Sequence, residues 1–231
     1  MGMFLRRGTA PHRTRMSDLE VGSSIKLNLN GTPWKWLVVH QGLPSDMYDE
    51  SCDGTWLLLK DMYESRQWNS SNVNKLESST IHSYLNGDFQ NLLDTNIKDA
   101  IKQVKIPYRA GGGRDGTDQI GANGLSTKVF LLSGYEVGWT TSDNQYFPVD
   151  GAKLSYFESG AGTSASNKRI AYLNGSDVNW WLRSPYTNRT NYVWYVRADG
   201  VYNDYYATIS RGIRPAIILD PDFIVTDDML A

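Results

Sequence analysis

Cysteine is nearly missing: Cys52 stands alone among 231 residues. That excludes an intrachain disulfide framework, a thiolate zinc site and a CxxC redox pair. Histidine is almost as scarce. His12, His40 and His82 have no Cys, His or carboxylate neighbour at a metal-binding spacing such as HExxH. His40 and His82 therefore read as structural side chains. No apolar run approaches the ~20 residues of a membrane-spanning helix, so no membrane insertion is expected. An excess of one charge sign is also missing. Lys and Arg total 23, Asp and Glu 25, for a net charge of −2. A general nucleic-acid or membrane-surface binder would carry a basic patch instead.

Catalytic signatures are equally thin. There is no GxSxG elbow for a serine nucleophile. Cys52 lies in the acidic loop "PSDMYDESCDG", a setting that raises a thiol pKa. The carboxylates of that loop, Asp46, Asp49, Glu50 and Asp53, do not follow EF-hand spacing and read as a solvated loop. The Gly-rich stretch "RAGGGRDGTDQIGANG", residues 109–124, lacks a GK[ST] ending and is not a GxGxxG opening a helix. It reads as a long flexible insertion. No metal and no cofactor is expected, and a non-enzymatic protein is the better reading. A hydrolase with a carboxylate pair set by tertiary geometry stays as the alternative.

Aromatic residues are what the chain has in abundance, with eight Trp and fourteen Tyr. Each buries a ring but keeps a polar tip that needs a partner or water. "SIKLNLNGTPWKWLVVH" alternates apolar and polar residues around Asn30-Gly31, which predicts a hairpin. "GTWLLLKDMY" predicts a buried strand. From Ser78 to about Lys105 the period changes to three and four, predicting two short helices separated at Gly87-Asp88, the first capped by Ser78, Ser79 or Thr80. "NYVWYVRADGVY" and "ATISRGIRPAIIL" read as hairpin strands, with Asp199-Gly200 as a turn. Residues 1–17 read as a leader or poorly ordered arm, and 18–231 as one domain. The expected fold class is α+β, with short antiparallel strands and both helices in the first half.

Six of the tyrosines fall in "WWLRSPYTNRTNYVWYVRADGVYNDYYATISRGIRPAI", residues 180–217. Trp180, Trp181, Arg183, Pro185, Trp194, Gly212, Arg214 and Pro215 read as its framework. Between these bookends, residues 186–211 contain no Lys, Glu, Gln or Met, types that number 10, 6, 6 and 6 in the chain. At the average frequency that stretch would hold about three of them. Tyr, Ser, Asn, Gly and Arg are the residues of antibody combining loops, because Tyr offers large contact area at low entropy cost. The run Tyr202-Asn203-Asp204-Tyr205-Tyr206 does not alternate as a packed strand would. The candidate ligand-binding residues are Tyr186, Asn188, Thr190, Asn191, Tyr192, Tyr195, Arg197, Asn203, Tyr205 and Tyr206.

"WNS" at Trp68, "IHSYLNGDFQNLL", "VFLLSGYEV", "WWLRSP" and "RGIRPAIIL" together resemble a widespread bacterial and phage domain with a C-type lectin fold. The resemblance runs from about Val21 to Leu219. Some members resemble the variable proteins of diversity-generating retroelements, in which template adenines are miscopied, usually in Asn codons of the AAY type. Such codons change to Tyr, Ser, Asp, Thr or Arg among others, and never to Lys, Glu, Gln, Met or Trp. The resemblance thus implies a C-type lectin-like fold and a hypervariable segment at about 186–211, with Trp194 as framework. It also implies receptor binding or adhesion for a phage or prophage, on the virion or cell surface. The partner would be an unknown protein or other cell-surface ligand, with homo-oligomeric or virion assembly left open; a structural virion domain is the other alternative. A similar Gly-x-Arg strand ends the formylglycine-generating enzymes, but their copper-binding cysteine pair has no counterpart here. No EPN or QPD sugar-binding motif is present.

Overall fold

The computed structural model describes residues 13–230. Its centre is a five-stranded sheet in the order Val129–Phe130, Ala216–Leu219, Thr55–Leu59, Thr32–Gln41 and Ser24–Leu29. Every neighbouring pair in it is antiparallel. The Asn30-Gly31 turn closes the last two strands as the dipeptide predicts. Both residues take positive φ, 50° and 74°, which Asn and Gly tolerate best.

Thr55–Leu59 is buried at every position, because the sheet is covered on both faces. On one face Trp36, Val38, Leu57, Leu59, Ile217 and Leu219 meet Ile81, Leu85, Phe89, Leu93 and Ile97 of the helical segment. On the other, Leu37, Val39, Trp56, Leu58 and Ile218 meet Trp139, Phe147, Leu154 and Phe157 from loops. Alternate residues of one strand therefore belong to two different cores.

A second five-stranded sheet runs in the order Tyr202–Tyr206, Tyr192–Val196, Trp180–Pro185, Ser210–Gly212 and Ser65–Gln67. Its neighbours pair antiparallel except Trp180–Pro185 with Ser210–Gly212, which is parallel. Trp180, Trp181, Arg183, Trp194 and Arg214 of the expected framework are buried in or beside it, and so is Ile213.

The α+β, C-type lectin-like expectation is corrected. The chain is mainly β, with 34% strand against 16% helix, in several antiparallel sheets whose arrangement is not specifically lectin-like. The excess strand comes from two- and three-residue pairings such as Tyr172–Leu173 with Ser176–Asp177, too short to leave a period in the sequence. The helical stretch is also less regular than its spacing. Thr80–Tyr84 winds on through a π turn, Leu85–Phe89, and a 3-10 turn, Gln90–Leu92, so the break falls at Leu93-Asp94 and not at Gly87. Thr95–Ala100 follows, and a further helix, Thr163–Arg169, lies in the second half. Ser79 is the cap of the first: its hydroxyl accepts from the His82 N–H.

Two other readings change. Residues 1–12, including His12, lie outside the described residues, but Thr14–Arg15 pairs with Ile224–Val225 and Met16 is fully buried. The segment from Thr14 onward is thus part of the fold and not of an arm. The Gly-rich stretch is no flexible insertion. Tyr108–Ala110 pairs with Thr117–Gln119, and Arg109 is ion-paired to Asp118 at 2.8 Å.

Candidate ligand-binding surface

Tyr202–Tyr206 is the edge strand of the second sheet and, among the described residues, pairs with Tyr192–Val196 alone. Tyr192 lies opposite Tyr206, Val193 opposite Tyr205 and Tyr195 opposite Asn203. Side chains alternate across a sheet, so Tyr192, Trp194, Asp204 and Tyr206 share one face while Val193, Tyr195, Asn203 and Tyr205 share the other. On the first face the rings form a continuous chain. Tyr146 stacks on Tyr186 at 4.9 Å, Tyr186 meets Tyr192 at 6.5 Å, and Tyr192 meets Tyr206 at 4.5 Å. At the strand end Tyr206 reaches Tyr205 at 5.4 Å, carrying the belt round to the second face. Tyr205 and Tyr206 are exposed, at 43% and 37%.

The loop joining Pro185 to Tyr192 is held through its backbone by groups from elsewhere in the chain. The buried Asn74 amide donates to the carbonyls of Arg189 and Tyr192, at 2.9 and 2.7 Å. Its carbonyl oxygen accepts from Gly113 N–H at 2.9 Å. The backbone N–H of Asn74 donates to the Thr190 carbonyl, and that of Arg114 to the Arg189 carbonyl. The Arg114 guanidinium donates to the Asn188 carbonyl at 3.2 Å. Gly113 packs so tightly under the loop that a methyl group there would collide with the carbonyls of Tyr186 and Arg189. On the other side the Tyr146 carbonyl accepts from both the N–H and the hydroxyl of Thr187 and from the Trp194 indole. Phe147 stacks on Trp194 at 4.2 Å, and the Tyr202 hydroxyl donates to the Asp143 carbonyl.

The structure thus brings together Tyr186, Asn188, Thr190, Asn191, Tyr192, Tyr205 and Tyr206 of the expected set. Asn203 is exposed beside them, with its side-chain oxygen accepting from Asp204 N–H. Two members stand apart. Tyr195 is a core side chain, 6% exposed, edge-on to Trp181 and covered by the Arg211 guanidinium at 3.5 Å. Arg197 sits at the far end of the hairpin, next to the Asp199-Gly200 turn, and pairs with Asp199 at 2.9 Å. Sequence reasoning missed Tyr146, Asn74 and Gly113, which are remote in the chain. It also passed over Arg189 and Arg211, which lie inside the segment. Arg189 stands over the Tyr192 ring at 4.7 Å.

Glu136 and Asp150, at 0% and 1% exposure, lie in a network around Arg183 and have no opening to solvent. Burial first, and then Glu136, push the Cys52 thiol up to about 12. The acidic loop expected to do this is not among the leading causes. Burial lowers the pKa of both His40 and His82, and the His40 Nε2 atom is buried with no hydrogen-bond partner among the described residues. Among the described residues no group of three His, Cys, Asp or Glu side chains is placed to hold a metal ion. Nor, among them, is any helix long and apolar enough to cross a membrane.

A β-rich domain with a tyrosine belt on a backbone-held loop and edge strand is what the geometry defines. Residues 53–221 match the family described as a domain of unknown function, DUF6273, and the chain belongs to that family. No curated protein and no solved structure matches it.

Proposed function

We propose that this chain is a non-enzymatic ligand-binding protein whose contact surface is the belt formed by Tyr186, Tyr192, Tyr205 and Tyr206 with Asn188, Thr190, Asn191 and Asn203. One observation carries this reading. The loop beneath the belt is fixed through its own carbonyls by Asn74 and Arg114, and through Thr187 by the Tyr146 carbonyl. Backbone anchoring leaves most of its outward side chains free to change without unseating the loop. Rigid aromatic anchors amid adaptable Asn and Thr are also what a combining surface needs.

The residue types between 186 and 211 extend the reading: the segment is the diversified target of a retroelement, in a phage or prophage receptor-binding or adhesion protein on a virion or cell surface. Sequencing the 3′ end of this gene across many isolates tests it. The expected result is substitution confined to the codons of the belt and loop, with Trp194 and Gly200 fixed. Uniform sequence, or changes scattered along the chain, would sink the retroelement reading. The binding surface itself is tested by the tyrosine variants below.

A further inference from the structure

The arginines divide in a way that names a ligand class. Arg15, Arg66, Arg109, Arg183 and Arg197 each have a carboxylate partner. Arg169 and Arg214 are buried and donate to backbone carbonyls. Arg6 and Arg7 lie outside the described residues and Arg13 adjoins them; of the other arginines three remain: Arg114, Arg189 and Arg211. Among the described residues none of them has a carboxylate at ion-pair distance, and all three border the tyrosine belt. Arg114 donates to the Asn188 carbonyl, Arg189 stands over Tyr192, and Arg211 stands over Tyr195 with Tyr205 at 5.5 Å. The whole chain is slightly acidic, so unpaired guanidinium groups bordering the belt on both faces of its edge strand make a local field opposite in sign to the net charge. Asp204 is an acid near Arg189; it is half-buried, and burial raises its pKa while Arg189 draws it back down.

Resting on the binding-surface reading above, we propose that the belt recognises an acidic peptide segment of a protein partner, its carboxylates meeting Arg189 and Arg211. Guanidinium takes a carboxylate in a two-pronged hydrogen-bonded pair, and stacking on tyrosine holds the fork in place beforehand. Arg189 and Arg211 lie on opposite faces of the edge strand. A single small anion would meet one of them, whereas an extended chain carrying several carboxylates reaches round the edge to both. Interfaces rich in Tyr and Arg at their centre also suit a protein partner.

A yeast-displayed library of random peptides about twelve residues long tests the proposal. It is sorted against the wild-type protein, against Tyr192→Ala/Tyr206→Ala and against Arg189→Gln/Arg211→Gln. Peptides bound by the wild type and lost with the tyrosine variant are expected to be rich in Asp and Glu. Their affinity is expected to fall at least tenfold with the arginine variant, and to fall again between ~50 mM and ~500 mM salt as screening grows. Tyrosine-dependent peptides without acidic enrichment, or peptides held equally by the arginine variant, overturn the acidic-ligand proposal and leave the binding surface standing. No tyrosine-dependent binder at all removes the binding surface as well. A panel of uronate and sulfated oligosaccharides runs alongside: arginine-dependent capture of a sugar but of no peptide overturns the peptide class. Arg211 covers the buried Trp181 and Tyr195, so each variant is checked by thermal melting. If the double variant melts early, Arg189→Gln alone, at an exposed position, decides the charge question by the same loss of affinity.

Discussion

Arg183 uses its whole guanidinium inside the protein. Nε donates to the Pro107 carbonyl, Nη1 to the Leu131 carbonyl and Glu136, and Nη2 to Glu136 and the Asp150 carbonyl. Glu136 also accepts from the Tyr48 hydroxyl and from Ser133 N–H. Burial works against the charge on Arg183, yet Glu136 beside it holds its pKa above the ordinary value. Breaking one partner of such a pair strands a buried charge, which typically costs ~3–5 kcal/mol. Glu136→Gln is expected to lower the unfolding free energy by about that amount in urea titrations; a loss under ~1 kcal/mol would mean that the network is not a keystone. Nearby, burial pushes the Asp150 carboxyl up to about 7, against the pull of Arg183 and of the Ser184 hydroxyl. One of its oxygens is buried with no partner among the described residues. A carboxyl whose pKa is raised on folding contributes stability that is complete below its unfolded value, ~4, and is lost as pH rises through the folded value. Asp150→Asn stays uncharged throughout. The stability difference between variant and wild type is therefore expected to shift in the variant's favour by several kcal/mol from about pH 4 to 7. Comparing the two proteins matters because His40 and His82, with lowered pKa values, act in the opposite sense near pH 6.5. A flat difference would assign the titration to another group. The sequence shows "WWLRSP" as rigid framework, but not that Arg183 meets a glutamate 47 positions away. Periodicity carries no record of tertiary ion pairs.

Elements with local causes were legible, and elements held by distant partners were not. Asn30-Gly31 announces its hairpin because the turn chemistry lies within the dipeptide. The Gly-rich stretch misled for the opposite reason: its glycines serve packing and not mobility. Gly113 gives Asn74 its N–H and lets the loop carbonyls approach. The candidate surface was named from residue types, and the structure gathers four of its members, Tyr186, Tyr192, Tyr205 and Tyr206, into one belt. The inward turn of Tyr195 was not, since the face a side chain takes depends on strand register. Asn74→Ala removes three side-chain hydrogen bonds: the Arg189 and Tyr192 carbonyls keep the N–H groups of Arg114 and Tyr186, but the buried Gly113 N–H loses its acceptor, at ~1–3 kcal/mol before relaxation. We expect a loss of ~2–4 kcal/mol, faster hydrogen exchange confined to about residues 187–192, and weaker peptide binding with the belt tyrosines untouched. Gly113→Ala should show the same exchange pattern. Unchanged protection in both variants would mean that the loop stands without this support.

The family match begins at residue 53, but the central sheet does not. Its two strands on one side, Ser24–Leu29 and Thr32–Gln41, come from the preceding hairpin, and Thr32–Gln41 pairs with Thr55–Leu59 along that strand's length. Trp36, Val38, Ile25 and Leu27 fill one core, while Leu37 and Val39 fill the other. Without the hairpin, Thr55–Leu59 becomes an unprotected apolar edge, the kind that pairs with other chains. Both cores also lose side chains worth ~1.5–3 kcal/mol each when fully buried, against a typical total stability of ~5–15 kcal/mol. The fragment 53–221 is therefore expected to aggregate or to keep secondary structure without a cooperative melt, seen as lost near-UV dichroism. Residues 13–230 should melt in one transition. A fragment that melts as sharply as the longer chain would show that the hairpin is an accessory to a self-sufficient sheet. The same comparison bears on the belt, because Trp181, Val193 and Tyr195 belong to the core that the hairpin completes. If the hairpin is integral, binding and folding of 53–221 should fail together, since the tyrosines hold their positions only on an intact second sheet.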